Sequence, residues 1–306
     1  MRSNPILKKL GLADNDRAVI IHADDVGMSH ASLAAYADLL DGDLLSSASA
    51  LVPCAWFPAT AAFCRDNAAK VDMGVHVTLT SDVAGCRWSA LSTRDPASGL
   101  LDDLGYLPQT PEAVRDNADP AAVHAEIQAQ IEHALAAGID VTHIDTHQFT
   151  IAERPEFFES YVQIALEHGI PPLLIRGHAV DLYDLDHGSA GDEAAGEIAE
   201  YMQMLEAQGL PVLDNLYLTP LRTPEGRVEQ IGRLLDNMLP GLTLLIIHPA
   251  QDTPELRALT RDWQARVADY TAFSSDAMRT LFRKAGVQII GWKVLRDMLR
   301  NALQQG

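Results

Sequence analysis

Apolar and polar positions alternate along this chain in two rhythms, short apolar or β-rich runs and longer stretches of helical period. The short runs are Ala18–Ala23, Ser46–Val52, Met73–Thr80, Ile139–Asp145, Pro172–Arg176, a weaker one near Val212–Leu218, Leu242–His248 and Val287–Ile290. Helix signals lie between most of them. Asp119 followed by Pro120 has the form of an N-cap and first helical residue. Val123, Ile127, Ile131 and Leu135 then make a buried stripe that Gly138 ends. Ser29 caps a helix carrying Leu33, Tyr36, Ala37 and Leu40 on one side. Thr223-Pro224 and Thr253-Pro254 predict two further helix starts in the same manner.

Strand–helix alternation repeated this often predicts a parallel sheet, closed as a barrel or doubly wound. No GxGxxG follows the first strand, which removes support from a dinucleotide-binding open sheet. The expectation is an α/β fold, a (β/α) barrel of seven to eight mostly parallel strands, formed by residues 1–306 as one domain. Residues 81–117 break the rhythm. They form a long insertion rich in Pro, Gly and Asp that carries Trp88 and Tyr106, and loops of this length in compact domains are usually functional or disordered.

Chemistry-bearing residues gather at the ends of the predicted strands. The first strand runs out through His22-Ala23-Asp24-Asp25, and two adjacent carboxylates at the exit of a buried strand are costly unless something cationic meets them. In the third, a period of two sets Val75, Val77 and Leu79 on one face and His76, Thr78 and Thr80 on the other. In the fourth, it sets Val141, His143, Asp145 and His147 on one side, and spacing alone leaves His143 and His147 equivalent as ligands. Asp145 could ligate, or could orient a ligating imidazole. The seventh strand ends in His248-Pro249. Taken singly, each feature has an ordinary structural explanation. Together they lie at the C-terminal ends of parallel strands, where barrel enzymes place their active sites.

Composition narrows the partners. Against 23 Lys+Arg stand 42 Asp+Glu, a formal net charge of −19, which disfavours nucleic acid and anionic membranes. No run approaches the roughly 18 apolar residues of a spanning helix. The first residues lack an apolar signal core, and Cys54, Cys64 and Cys86 are odd in number with no CxxC among them. A cytoplasmic protein with reduced thiols is the expectation.

The segments ADDVGMS, GVHVTLT, THIDTHQ and the late HP resemble the YdjC-type carbohydrate deacetylases, the family of chitooligosaccharide deacetylase and the hopanoid-associated sugar deacetylases. The resemblance runs in order from about residue 18 to 250, and this chain is similar to a divergent member. It implies a distorted barrel like that of the polysaccharide deacetylases and a divalent metal, Mg2+ or Zn2+. It also implies that Asp25, His76 and His147 hold that metal, which selects His147 over His143. Analogy with the wider deacetylase fold makes Asp24 the base and His248 the acid. His143, Asp145 and Arg176 then stand as supporting or substrate-contacting residues, and Trp88 and Tyr106 as loop aromatics able to stack on a sugar ring. The implied substrate is an acetylated sugar that loses acetate, and the family is often dimeric, which implies a homodimer here. A metal-dependent amidase on a non-sugar acylated amine and a catalytically inactive sugar- or metal-binding protein are the alternatives. Departures from the family pattern fall beside the ligands: Gln148-Phe149-Thr150 replaces a histidine-rich run, Val26 a phenylalanine, and His22 an asparagine. They bear on substrate more than on reaction.

Overall fold

The computed structural model describes residues 4–176, 179–182 and 195–304. Among the described residues eight strands, β1 (Arg17–Val26), β2 (Ser47–Ala50), β3 (Met73–Val77), β4 (Val141–Thr146), β5 (Ala179–Asp181), β6 (Asn215–Leu218), β7 (Gly241–Ile247) and β8 (Gln288–Ile289), form one sheet. Its order is β4-β3-β2-β1-β7-β6-β5, with β8 added against β1. Every pairing is parallel. The gap between β4 and β6 is spanned by two single bridges, Ile144 to Pro172 and Ile175 to Leu213. The enclosure is thus a distorted barrel. The run 172–176 makes isolated bridges instead of the expected strand, because Pro171 and Pro172 have no N–H to give a ladder.

Alternation along β1 and β7 sorts the core into two layers. Val19, Ile21, Ala23, Leu245 and Ile247 face the surrounding helices. Ala18, Ile20, Leu242, Leu244 and Ile246 face inward and pack with Leu213, Leu216 and Trp292. Trp292 opens the last helix, Trp292–Leu303, and closes the lower end of the barrel. The inward row of β1 therefore runs Ala18, Ile20, His22, Asp24, from a dry floor to a polar mouth.

Local capping follows the sequence in several places. Ser29 and Ser32 form a reciprocal capping box at the helix His30–Leu40. Asp119 caps Pro120–Ala136, and Thr253 caps Pro254–Leu259. Thr223-Pro224 opens no helix. The next helix, Arg227–Asn237, begins three residues later, behind Gly226 in the left-handed region, and Thr223 Oγ1 finds no partner. The insertion 81–117 is packed, with Trp88, Ala90, Leu100 and Leu107 in the core and short helices at Pro96–Ser98 and Pro111–Asn117. Among the described residues no helix is long and apolar enough to cross a membrane.

Candidate metal centre

Strict alternation would send Asp24 and Asp25 to opposite faces of β1. The chain avoids this by slipping register against β2 between Ala23 and Val26. Asp25 adopts φ +61°, in the left-handed region that Asp tolerates better than most residues. Gly27 completes the turn at φ +91°, where a Cβ would lie 2.9 Å from Thr60 Oγ1. Both carboxylates now line the mouth.

Asp25 Oδ1 lies 3.5 Å from His76 Nε2 and 3.3 Å from His147 Nδ1. These three residues form one of the groups whose ligand atoms could hold a single ion. The far nitrogen of each imidazole is held by another carboxylate. His76 Nδ1 donates to Asp145 Oδ1 at 2.8 Å, and His147 Nε2 donates to Asp82 Oδ1 at 3.1 Å. Such outer carboxylates fix ring orientation and leave the inner nitrogen's lone pair for an ion. Asp25 Oδ1 is buried and has no hydrogen-bond partner. An orphaned carboxylate oxygen between two oriented imidazoles fits a divalent cation.

Electrostatics keep the carboxylates ionised in spite of burial. Burial raises the Asp25 pKa, but the Arg266 guanidinium, whose Nη1 stands 2.7 Å away, and His147 together hold it well below the usual range. Burial likewise works against charge on His147. The Asp25 and Asp82 carboxylates on its two sides outweigh that and push its pKa up to about 10. His22 is buried too, yet its Nε2 lies between Asp145 Oδ2 (2.9 Å) and Asp24 Oδ1 (3.0 Å), and the two carboxylates lift its pKa to about 10. For Asp145, burial is overcome by His76 and His22, which hold it well below the usual range.

His248 extends from the end of β7 with its Nε2 3.9 Å from Asp24 Oδ2. Its backbone N–H donates to Asp269 Oδ2 at 2.8 Å. Arg227 pairs with Asp269 on that carboxylate's other oxygen. His143 lies deeper. Its ring stacks on Trp292 at 4.8 Å, meets the His22 ring edge-on at 5.0 Å, and fills the space where a Cβ on residue 74 would be, 2.5 Å from the ring. Gly74 is what admits it. Burial and the His22 cation hold its pKa well below the ordinary value. It lies beneath the cluster at the mouth.

Arg176 is elsewhere. It pairs with Asp214 and Glu206, and Asp214 also accepts from Leu242 N, at the start of β7 and therefore at the opposite end of the barrel from His248. The expectation of a substrate or site-carboxylate contact is corrected, because the run carrying Arg176 crosses toward Leu213 and not toward the mouth. Trp88 is buried, donating Nε1–H to Thr80 O, and Tyr106 lies under Arg87, so neither belongs to the described lining of the mouth.

Three residues at the site lie outside the strand-end motifs. Asp82 sits in the insertion, where nothing marks it as a partner of His147. Arg266 and Asp269 come from the helix Trp263–Phe273, and their signal was available: two charged residues one turn apart on the buried face with Ala265, Ala272 and Phe273. The mouth itself is a cavity of about 250 Å³ with Asp24, Asp25, His76, His147 and His248 on its polar side and Leu173, Leu218, Leu221 and Phe149 among its apolar lining.

A parallel α/β barrel with a buried histidine–aspartate cluster at its C-terminal rim belongs to the architectures that carry active sites there. Comparison with known proteins narrows that class. A family model described as YdjC-like protein matches residues 18–284, and the chain belongs to this family. A carbohydrate deacetylase of Thermus thermophilus is 32% identical over 300 residues, covering 96% of this chain and 99% of that protein. A carbohydrate deacetylase of Thermoanaerobacter pseudethanolicus is 20% identical, covering 91% and 99%. Among solved structures, one from Enterococcus faecalis V583, described as a cellobiose-phosphate cleavage protein, superposes with a TM-score of 0.75. At 19% identity, over 92% of this chain and 99% of that one, this likeness concerns the fold.

Proposed function

We propose that this protein is a metal-dependent hydrolase that removes N-acetyl groups from an amino sugar or oligosaccharide and releases acetate. The observation that carries the reading is the orphaned Asp25 Oδ1 between two imidazoles whose far nitrogens are each held by a carboxylate. The names of the curated relatives support the reaction class.

In this reading Asp25, His76 and His147 hold the cation, Mg2+ or Zn2+. When bound it would supply Lewis acidity toward a carbonyl oxygen and a water. Asp24 accepts the proton of the attacking water, and the His22 imidazole, whose Nε2 lies 3.0 Å from Oδ1, supplies a counter-charge to its carboxylate. The water oxygen forms a bond to the acetyl carbon as the C–N bond breaks, and His248 protonates the leaving nitrogen. Asp24 and His248 face each other across 3.9 Å, so one reacting centre is within reach of both. Asp269 holds the backbone of His248, and Arg266 neutralises the oxygen of Asp25 that faces away from the imidazoles.

The test is acetate release by chelator-stripped protein reconstituted with Mg2+ or Zn2+, against acetylated amino sugars, chitooligosaccharides and acetylated aliphatic amines. Metal-dependent release from the sugars is expected. Release from the aliphatic amines alone would overturn the sugar assignment, and no release with either metal would overturn the hydrolase.

A further inference from the structure

Beside His147 the backbone does something unusual. Gln148 and Phe149 are consecutive non-glycine residues at φ +54° and +53°. Each residue in this region costs about 1 kcal/mol or more, so a pair persists only where the surroundings impose it. The Gln148 side chain supplies part of that restraint, donating to Asp82 Oδ2 at 3.1 Å while Asp82 Oδ1 accepts from His147. The strained pair turns Phe149 into the cavity lining with 38% of its surface open. Leu173, Leu218 and Leu221 line the same cavity. An apolar ring held in solvent by a strained backbone, next to a proposed metal ligand, has no role in the core.

The geometry points to Phe149 as the platform on which one uncharged pyranose ring of the substrate stacks, with its N-acyl group toward Asp25, His76 and His147. The inference rests on the sugar-deacetylase reading and adds the substrate's charge and the residue that selects it. A pyranose has a C–H face that packs on an aromatic ring and a rim of hydroxyls for groups such as the exposed Gln148 amide and Asp82 carboxylate. At about 250 Å³ the cavity suits one such ring and lies below the usual range for larger ligands. Charge argues against a sugar phosphate. Even with a divalent cation at Asp25, the five carboxylates of the lining, Asp24, Asp25, Asp82, Asp145 and Asp262, outnumber the positive charge, and among the described lining residues the one arginine, Arg266, is already paired with Asp25 and Asp262.

The experiment compares wild type with Phe149→Leu, both metal-loaded. Thermal melting checks that the exposed substitution leaves the fold intact. The KM for an N-acetylated amino sugar should rise about tenfold in Phe149→Leu, with a smaller fall in kcat, while KM for an N-acetylated aliphatic amine stays within about twofold. In parallel, NMR of N-acetylglucosamine with the metal-loaded Asp24→Asn protein should show upfield ring-current shifts on sugar C–H protons. Phe149→Leu in that background should abolish them. N-acetylglucosamine 6-phosphate should bind more weakly than the unphosphorylated sugar. Unchanged KM and shifts in Phe149→Leu, an equal rise for the aliphatic amine, tighter binding of the phosphate, or no sugar binding at all would each overturn the inference. Shifts that depend on Phe149 without acetate release by wild type would support it while overturning the deacetylase reading. Acetate release that ignores Phe149 would do the reverse.

Discussion

The two ends of the barrel carry similar charged residues and treat them in opposite ways. At the N-terminal end every named charge is spent. Asp214 accepts from Asn4, Leu242 N and Arg176, Asp72 accepts from Thr142 and Lys293 N, and Arg296 pairs with Asp140 at 2.6 Å. At the C-terminal end, buried Asp24 Oδ1, Asp25 Oδ1 and His248 Nδ1 lack hydrogen-bond partners. Trp292 and His143 separate the ends, the one closing the floor and the other lying between that floor and His22. Unpartnered buried atoms occur elsewhere too, among them the neutral Trp292 Nε1 at the floor, but leaving carboxylate oxygens unsatisfied is especially expensive, so Asp24 Oδ1 and Asp25 Oδ1 mark where the protein keeps polar capacity for something it binds. Charge at the far end is saturated; charge at the mouth is left partly free.

Substitutions at the two ends should therefore separate activity from stability. Asp24→Asn has the largest expected effect on turnover, a loss of about 10³-fold in acetate release with metal content and melting temperature nearly unchanged. Equal loss of bound metal in that variant would instead place Asp24 among the ligands. Arg266→Met leaves the buried Asp25 without its guanidinium and should cost about 3 kcal/mol in chemical denaturation of metal-free protein. Saturating Zn2+ should recover much of that loss, since the cation supplies the missing charge; no recovery would argue that Asp25 does not meet the ion. At the far end, Asp214→Ala should cost about 2 kcal/mol through its lost charged hydrogen bonds. The kcat/KM of the folded fraction should stay at the wild-type value, and a matching drop would dissolve the contrast between the ends. The smallest change is Asp82→Asn, for which calorimetry should read roughly tenfold weaker metal binding because the His147 ring loses its outer carboxylate.

Much of the fold is visible in local pattern because a parallel strand buried on both faces must be apolar at every position below the rim. The run Ala18–Ile21 says as much. Caps at Ser29, Asp119 and Thr253 are equally local, since a side-chain oxygen needs only the next turn of backbone. Thr223 carries the same signature and caps nothing, because Gly226 redirects the chain before a helix can start. The segment 172–176 looks like a strand by composition, and Pro172 with Pro171 just before it reduces it to isolated bridges.

By itself the sequence determined the barrel class and the rim, and placed His76 and Asp145 on inward faces through the period of two. Tertiary structure decided what period two cannot express. The register slip and the left-handed Asp25 bring both adjacent carboxylates to the mouth. Depth along one inward row separates His143, stacked on Trp292, from His147, 3.3 Å from Asp25. Arg266 reaches Asp25 across 241 positions of chain. Arg176, near the candidate residues in strand order, faces the other end. The physical reason is one of range. Periodicity reports which face a residue occupies, whereas a site depends on height along the barrel and on partners that only folding brings within a hydrogen bond.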